Sequence, residues 1–222
     1  MGAGPSFIQA PTTVTNIGTK RDWMVKHAIK NGYTHIVMLD DDLIFAKRRK
    51  DDPTKLLPQT AKDNEAMFKA IEKQFKTHEH VGITARDGAN RHTEPVMYAT
   101  RMMRVLGYNL DLFKGASLSF ARIPLMEDFD VTLQLLRWGH PNAVLTNFTN
   151  DQGSSNAPGG CSLYRTPALQ EEAANMLAAH HPNFVKVVAK PDKGGWGGER
   201  IDVQIAWKKA LASAAQGDLP WE

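Results

Sequence analysis

Two clusters of acidic residues carry the residue types and spacing for chemistry. The first, Asp40-Asp41-Asp42, directly follows His35-Ile36-Val37-Met38-Leu39, a short apolar run without alternation. That run predicts a strand buried on both faces of a parallel sheet. Ligand sites in open α/β sheets lie outside the carboxyl ends of the strands, where the triplet falls. Adjacent carboxylates repel, a cost normally accepted where a cation neutralises them. Along a turning chain Asp40 and Asp42 can point to one side and share one Mg²⁺ or Mn²⁺; an acidic surface turn is the alternative. The second cluster, Glu127-Asp128 with Asp130 beyond it, opens an amphipathic segment. Acids in a first helical turn, and their ionised form, are favoured by the helix dipole, so this is also simply a well-made helix start. Beside a metal site it supplies a general base, accepting a proton from a hydroxyl nucleophile while the metal stabilises a departing diphosphate.

The elements that must position these acids alternate along the chain. Met24 and Ala28, and Val25 and Ile29, recur four apart and predict a helix from Arg21 to Lys30, stopped by Asn31-Gly32. Thr60 and Asp63 open a second helix with Met67, Ile71 and Phe75 as its stripe. Val81 to Ala85 and Ala143 to Phe148 read as strands, with Val96 to Thr100 a further candidate in a segment, 86 to 114, that pattern does not otherwise organise. A helix from Glu127 to Trp138 presents Phe129, Leu133 and Leu136 on one face and ends at Gly139. Thr166-Pro167 is a strong helix start, and Phe184 to Ala189 and Ile201 to Trp207 read as extended. Strands mixed with helices at this spacing predict one α/β domain over residues 1–222, with a largely parallel sheet.

Composition excludes several classes. In 222 residues, 27 Lys+Arg against 24 Asp+Glu leave a formal charge of +3, too mild to establish nucleic-acid binding and no obstacle to a polyanion. The single cysteine, Cys161, excludes an internal disulfide framework and a Cys-rich zinc module, with a reducing compartment as the default. No apolar run approaches the roughly 20 residues that span a bilayer, and no signal-peptide core opens the chain, so a cytoplasmic location without membrane partners is expected. No Walker A motif, no Rossmann glycine spacing, no zinc-type His-x-x-x-His pair and no nucleophile elbow occurs.

An acidic triplet after a buried strand, followed by Glu-Asp at a helix start, resembles the glycosyltransferase-A fold. The strings Met38-Leu39-Asp40-Asp41-Asp42-Leu43, Pro124-Leu125-Met126-Glu127-Asp128-Phe129-Asp130-Val131 and Gly159-Gly160-Cys161-Ser162-Leu163-Tyr164-Arg165 resemble the TET-associated glycosyltransferases of bacteriophages, relatives of the base J glucosyltransferase. The resemblance runs from about Thr19 to Trp207. It implies a mostly parallel mixed sheet flanked by helices. It also implies inverting, metal-dependent sugar transfer from a UDP-sugar to the hydroxymethyl group of 5-hydroxymethylcytosine in DNA, with a TET-like dioxygenase as functional partner and an infected host cell as the setting. Asp128, supported by Glu127, is then the base. Asp40 and Asp42 hold Mn²⁺ or Mg²⁺, with Asp151 completing the metal shell, and Asp40, Asp41, Arg21, Gly159 and Gly160 serve the donor. Only about twenty residues precede Arg21, so the nucleotide-binding part is expected to be abbreviated.

Two further segments carry paired readings. Lys47-Arg48-Arg49-Lys50 is either a solvated face or a grip on DNA phosphates. The segment from Lys190 to Gly198, with its glycines and Trp196, is either an ordinary loop or one that stacks on a base or closes over the donor. Two alternatives to the DNA reading remain open: the same fold acting on a saccharide or small molecule, and a two-metal nuclease or phosphoryl-transfer site.

Overall fold

The computed structural model describes residues 6–86, 94–115, 118–152, 164–192 and 197–215. The chain enters helix α1 (Ile17–Lys30) through a capping box: the Asn16 side chain accepts the Thr19 N–H, and Thr19 reaches back to the Asn16 N–H. The helix therefore starts four residues before the apolar pattern does. Gly18 lies against a 3₁₀ turn at Phe120–Arg122, so closely that a Cβ there would stand 2.5 Å from the Phe120 carbonyl oxygen. One turn on, Asp22 accepts hydrogen bonds from the Ser119 hydroxyl and the Phe120 N–H, both at 3.0 Å, and fixes the same contact.

Strands β1 (His35–Leu39), β2 (Leu43–Arg48) and β3 (Leu56–Pro58) precede helix α2 (Ala61–Gln74). Then come β4 (His80–Ala85), β5 (Val96–Tyr98) and β6 (Val105–Asn109). Helix α3 (Glu127–Arg137), β7 (Asn142–Gln152), α4 (Pro167–His180), the antiparallel hairpin β8 (Val185–Pro191) with β9 (Glu199–Ile205), and α5 (Trp207–Ala214) complete the described chain. The main sheet has seven strands in the order β1-β6-β4-β7-β2-β3, with β5 also paired to β7.

The α/β class and the mixed, helix-flanked sheet agree with the sequence, but the sheet is mostly antiparallel. Only β4 and β7 pair in parallel. The three strands read from apolar runs (β1, β4 and β7) do point the same way. A fourth strand that pattern did not reveal, β6, inserts antiparallel between β1 and β4. Its middle residue is Gly107, where a Cβ would stand 2.7 Å from the Val81 carbonyl oxygen and 2.8 Å from the Phe75 ring. A strand interrupted by an obligatory glycine loses its propensity signal. Nor is β1 buried on both faces. It is an edge strand with Met38 inward and Leu39 exposed, beside an apolar groove lined by Val37, Phe68, Ile71 and Phe75.

The topology places the acids. β1 and β2 are separated in the sheet by β6, β4 and β7 but in sequence only by Asp40-Asp41-Asp42, so the triplet carries the chain across the end of the sheet. The other cluster is positioned by α3, which is buried on two sides rather than one stripe. Val131 and Leu135 pack with Met38, Leu106 and Tyr108 on the sheet, while Leu133 and Leu136 pack with α4, α5 and the hairpin. Its buried acids and threonine are engaged, while Gln134 uses its amide nitrogen and leaves its buried Oε1 without a partner among the described residues. Asp130 accepts from His181 Nε2 at 2.8 Å and from Gln134 Nε2 at 2.9 Å, with the Arg122 guanidinium 3.4 Å away. Thr132 meets His80.

His80, fully buried, joins β4, β6 and α3: Nδ1–H donates to the Gly107 carbonyl and Nε2 accepts from the Thr132 hydroxyl, both at 3.1 Å. Those roles require the neutral ring, and burial depresses its pKa from 6.5 to about 3. The unfolded chain binds this proton from about pH 6.5 downward and the folded chain does not, so stability falls as pH drops through that window. Between about pH 6 and 4 the wild-type protein should lose about 1.4 kcal/mol per pH unit more than His80→Gln, measured by urea denaturation at each pH.

Candidate active site

Arg21 shares the inner face of α1 with Val25 and Ala28 and is only 5% exposed. A guanidinium there must be neutralised by the protein, and two separate segments do it. Its Nη2 donates to Asp40 Oδ1 at 2.8 Å and its Nη1 to Glu127 Oε1 at 2.5 Å. One cation thus brings the end of β1 and the start of α3 to the same place. Burial lowers the proton affinity of Arg21, but Glu127, Asp128 and Asp40 outweigh it and hold the side chain firmly cationic.

Local backbone fixes both acids. The Asp40 N–H donates to the Arg104 carbonyl at 3.1 Å, extending the β1–β6 ladder by one bond. Arg104 itself has φ +69°, and Met126, immediately before Glu127, has φ +62°. Left-handed non-glycine residues cost roughly 1–3 kcal/mol each, and here both flank the acids. Met126 provides no side-chain cap for α3; Asp128 Oδ1 instead accepts the Phe129 N–H at 2.9 Å.

The charges couple. Burial raises the pKa of Asp40, opposed by Arg21 and reinforced by Asp42. Burial likewise raises Glu127 against the pull of Arg21, with Asp128 adding to the rise. Asp128 is raised by burial, lowered by Arg21, and raised again by Asp40. The helix dipole alone would have kept Asp128 at or below the ordinary carboxylate range; loss of solvation is the larger effect. A base with raised proton affinity is a stronger base. Among the described residues, Asp128 is also the one of this trio without a direct guanidinium contact.

The other anticipated residues are placed as follows. Asp41 is exposed on the turn. Asp42 Oδ2 accepts from Gln152 Nε2 at 2.6 Å. This leaves Asp40 Oδ2 and Asp42 Oδ1 without a protein partner among the described residues, the oxygens open to a hard cation. Asp151 faces Arg86 at 3.1 Å, and no group of three His, Cys, Asp or Glu able to hold a metal occurs among the described residues. In the basic run, Lys47 pairs with Asp63 at 2.5 Å, Arg48 donates to the Thr146 and Pro53 carbonyls at 2.6 Å, and Arg49 pairs with Asp51, leaving Lys50 exposed. The protein itself engages three of these four cations. Gly159, Gly160 and Trp196 lie outside the described residues.

A model of the TET-associated glycosyltransferases matches residues 5–160. The chain belongs to that family. This TET-associated glycosyltransferase carries α1, the whole seven-stranded sheet, the triplet and Glu127-Asp128 within the matched span. No curated protein and no solved structure matches it. No helix among the described residues is long and apolar enough to cross a membrane.

Sequence reading missed the link between the two acidic clusters. Its signal was Arg21 itself, four residues before Val25 and seven before Ala28 on the buried face. An arginine on an apolar stripe demands an acidic partner. It also missed Tyr108, whose fully buried hydroxyl has no hydrogen-bond partner among the described residues and lies in the field of Arg21, Asp128 and Glu127.

Replacing Arg21 by Met should leave three neighbouring carboxylates without their cation. At pH 8 the expected loss is about 3–5 kcal/mol, the usual cost of breaking a buried pair. In the variant the folded carboxyls bind protons more tightly than the unfolded ones, so the deficit should shrink as pH is lowered towards 5. Urea denaturation at both pH values measures it; a deficit independent of pH would assign the loss to packing alone.

Proposed function

We propose that this glycosyltransferase moves a sugar from a UDP-sugar to the hydroxymethyl group of 5-hydroxymethylcytosine in DNA, with inversion and with a divalent cation. The observation that carries the reading is the meeting of Asp40, Glu127 and Asp128 around one buried arginine, at the end of the sheet and inside the span that matches the family.

The donor set suits a hard cation. Magnesium and manganese sites on nucleotides commonly use one or two carboxylates, with phosphate oxygens and water completing the shell. Asp40 and Asp42 each offer one open oxygen, so the lack of a third acid among the described residues does not argue against the fit. Held there, the cation would neutralise charge that develops on the leaving diphosphate.

The protein's own groups do the rest. The hydroxymethyl oxygen is a poor nucleophile at neutral pH. Asp128 takes its proton as the new bond to the anomeric carbon forms, and the bond from that carbon to the diphosphate breaks with its electron pair leaving on UDP. Burial, which raises the proton affinity of Asp128, makes it effective in this role. Arg21 holds Glu127 and Asp40 apart from the proton transfer. A TET-like dioxygenase would supply the hydroxymethyl group from a methyl group.

Digestion and mass spectrometry of hydroxymethylcytosine DNA, after incubation with a panel of UDP-sugars and Mn²⁺, should reveal a hexose-sized gain on one nucleoside. UDP release with saccharides but not with this DNA would move the acceptor, and cleavage of labelled DNA without any sugar nucleotide would replace the reaction. In the same assay Asp128→Asn should transfer roughly 10²–10⁴-fold more slowly in single turnover while UDP-sugar affinity holds. A wild-type rate for Asp128→Asn alongside a slow Glu127→Gln would assign the base to Glu127.

A further inference from the structure

We propose that Arg101 and Arg104 form a phosphate-binding pair at the rim of the acidic site. The pair would receive either the diphosphate of the nucleotide donor or a backbone phosphate of the nucleic-acid acceptor. Only the choice of these two sources rests on the function proposed above.

Both residues lie on the short segment between β5 and β6, and three anchors fix that segment. The Asn142 side chain accepts the Thr100 N–H at 3.0 Å and donates to the Thr100 carbonyl at 2.7 Å. Met102 is buried to 1% exposure in the core. The Arg104 carbonyl holds the Asp40 N–H. Left-handed, non-glycine Ala99 and Arg104, with φ +47° and +69°, bracket the segment. Strain of this kind persists only where the surroundings enforce it. The segment is therefore a fixed support, and it sets its two arginines beside the two acids that matter most. Arg101 lies over the Phe129 ring, 5.5 Å from its centroid, one residue from Asp128, while Arg104 follows from its own bond to Asp40.

Among the described residues neither guanidinium is otherwise engaged. Every other described arginine makes an ion pair or a hydrogen bond to protein, including Arg48 and Arg49 of the basic run. The side chains of Arg101, which is exposed, and Arg104, which is half-buried, make none among the described residues. Their guanidinium groups act on the Asp128 and Asp40 carboxylates through the electrostatic field, without an ion pair to either. Two planar donor forks on a fixed support match the oxygens of a phosphate, which accepts paired N–H bonds. An anion seated there would also offset the cations' pull on the two acids.

The test uses the whole protein, with UDP as one probe and a hydroxymethylcytosine duplex as the other. Arg101→Gln/Arg104→Gln should retain the wild-type melting temperature to within a few degrees. If the pair takes the donor diphosphate, UDP affinity measured by calorimetry should fall roughly 10- to 100-fold. If it takes backbone phosphate, UDP affinity should hold, and the log–log salt dependence of duplex binding should become shallower by about 0.9 per arginine. Arg101→Lys/Arg104→Lys keeps charge without the fork and serves if the glutamine variant does not fold. It should restore the salt slope in the second case and leave UDP weak in the first. Unchanged UDP affinity together with an unchanged slope overturns the proposal, as does wild-type protein that binds neither probe. A variant that loses either form of binding, in a protein that modifies no DNA, would keep the phosphate site and discard the acceptor. Normal modification with unchanged binding in the variant would do the opposite.

Discussion

Everything at this site depends on one buried guanidinium. Among the described residues Arg21 alone pairs with both Asp40 at the end of β1 and Glu127 at the start of α3, and those segments lie far apart in sequence. A buried ion pair contributes little net stability, because desolvating the charges offsets most of their attraction. What it contributes is geometry. Two carboxylates that would otherwise repel are drawn to opposite ends of one planar group, and a third, Asp128, is brought near without being bound. That leaves one acid available for proton transfer while its neighbours are neutralised.

Such an arrangement needs a rigid base, and α3 provides it. The helix is packed by the sheet on one side and by α4, α5 and the β8–β9 hairpin on the other. The fully buried Asp130–His181 bond ties it to the end of α4, so its first turn has little freedom to relax. The left-handed conformation at Met126 is sustained by that packing. The hairpin and α4 lie beyond the stretch matched by the family, yet they form one wall of the helix that carries Glu127 and Asp128.

Local chemistry in the sequence made much of this legible. The apolar run of β1, the triplet after it, the acidic start of α3 and the Thr166-Pro167 start of α4 each carry a short-range signal, and each falls where that signal puts it. What failed was non-local. β6 has a glycine at its centre because Val81 and Phe75 leave no room for a side chain, and without β6 the sheet reads as parallel. The basic run looked like an open positive patch because two of its partners, Asp63 and the Thr146 carbonyl, come from other parts of the chain. Asp128 looked like an acid eased by a helix dipole, since burial is a property of the fold and not of the first turn.

The close approach of α1 to the turn at Phe120 bears on how this protein would respond to random mutation. Gly18 touches no acid, yet any side chain there meets a backbone carbonyl that cannot swing aside. The helix must lift, and Arg21 lifts with it. Through Val25 and Ala28, α1 shares one core with the sheet and α3, so that lift would loosen packing as well as take the common cation from the two acidic clusters. A side chain at position 18 would therefore lower activity and stability together, and a screen scored by activity and one scored by expression level would both mark the position, the first through the site and the second through the core.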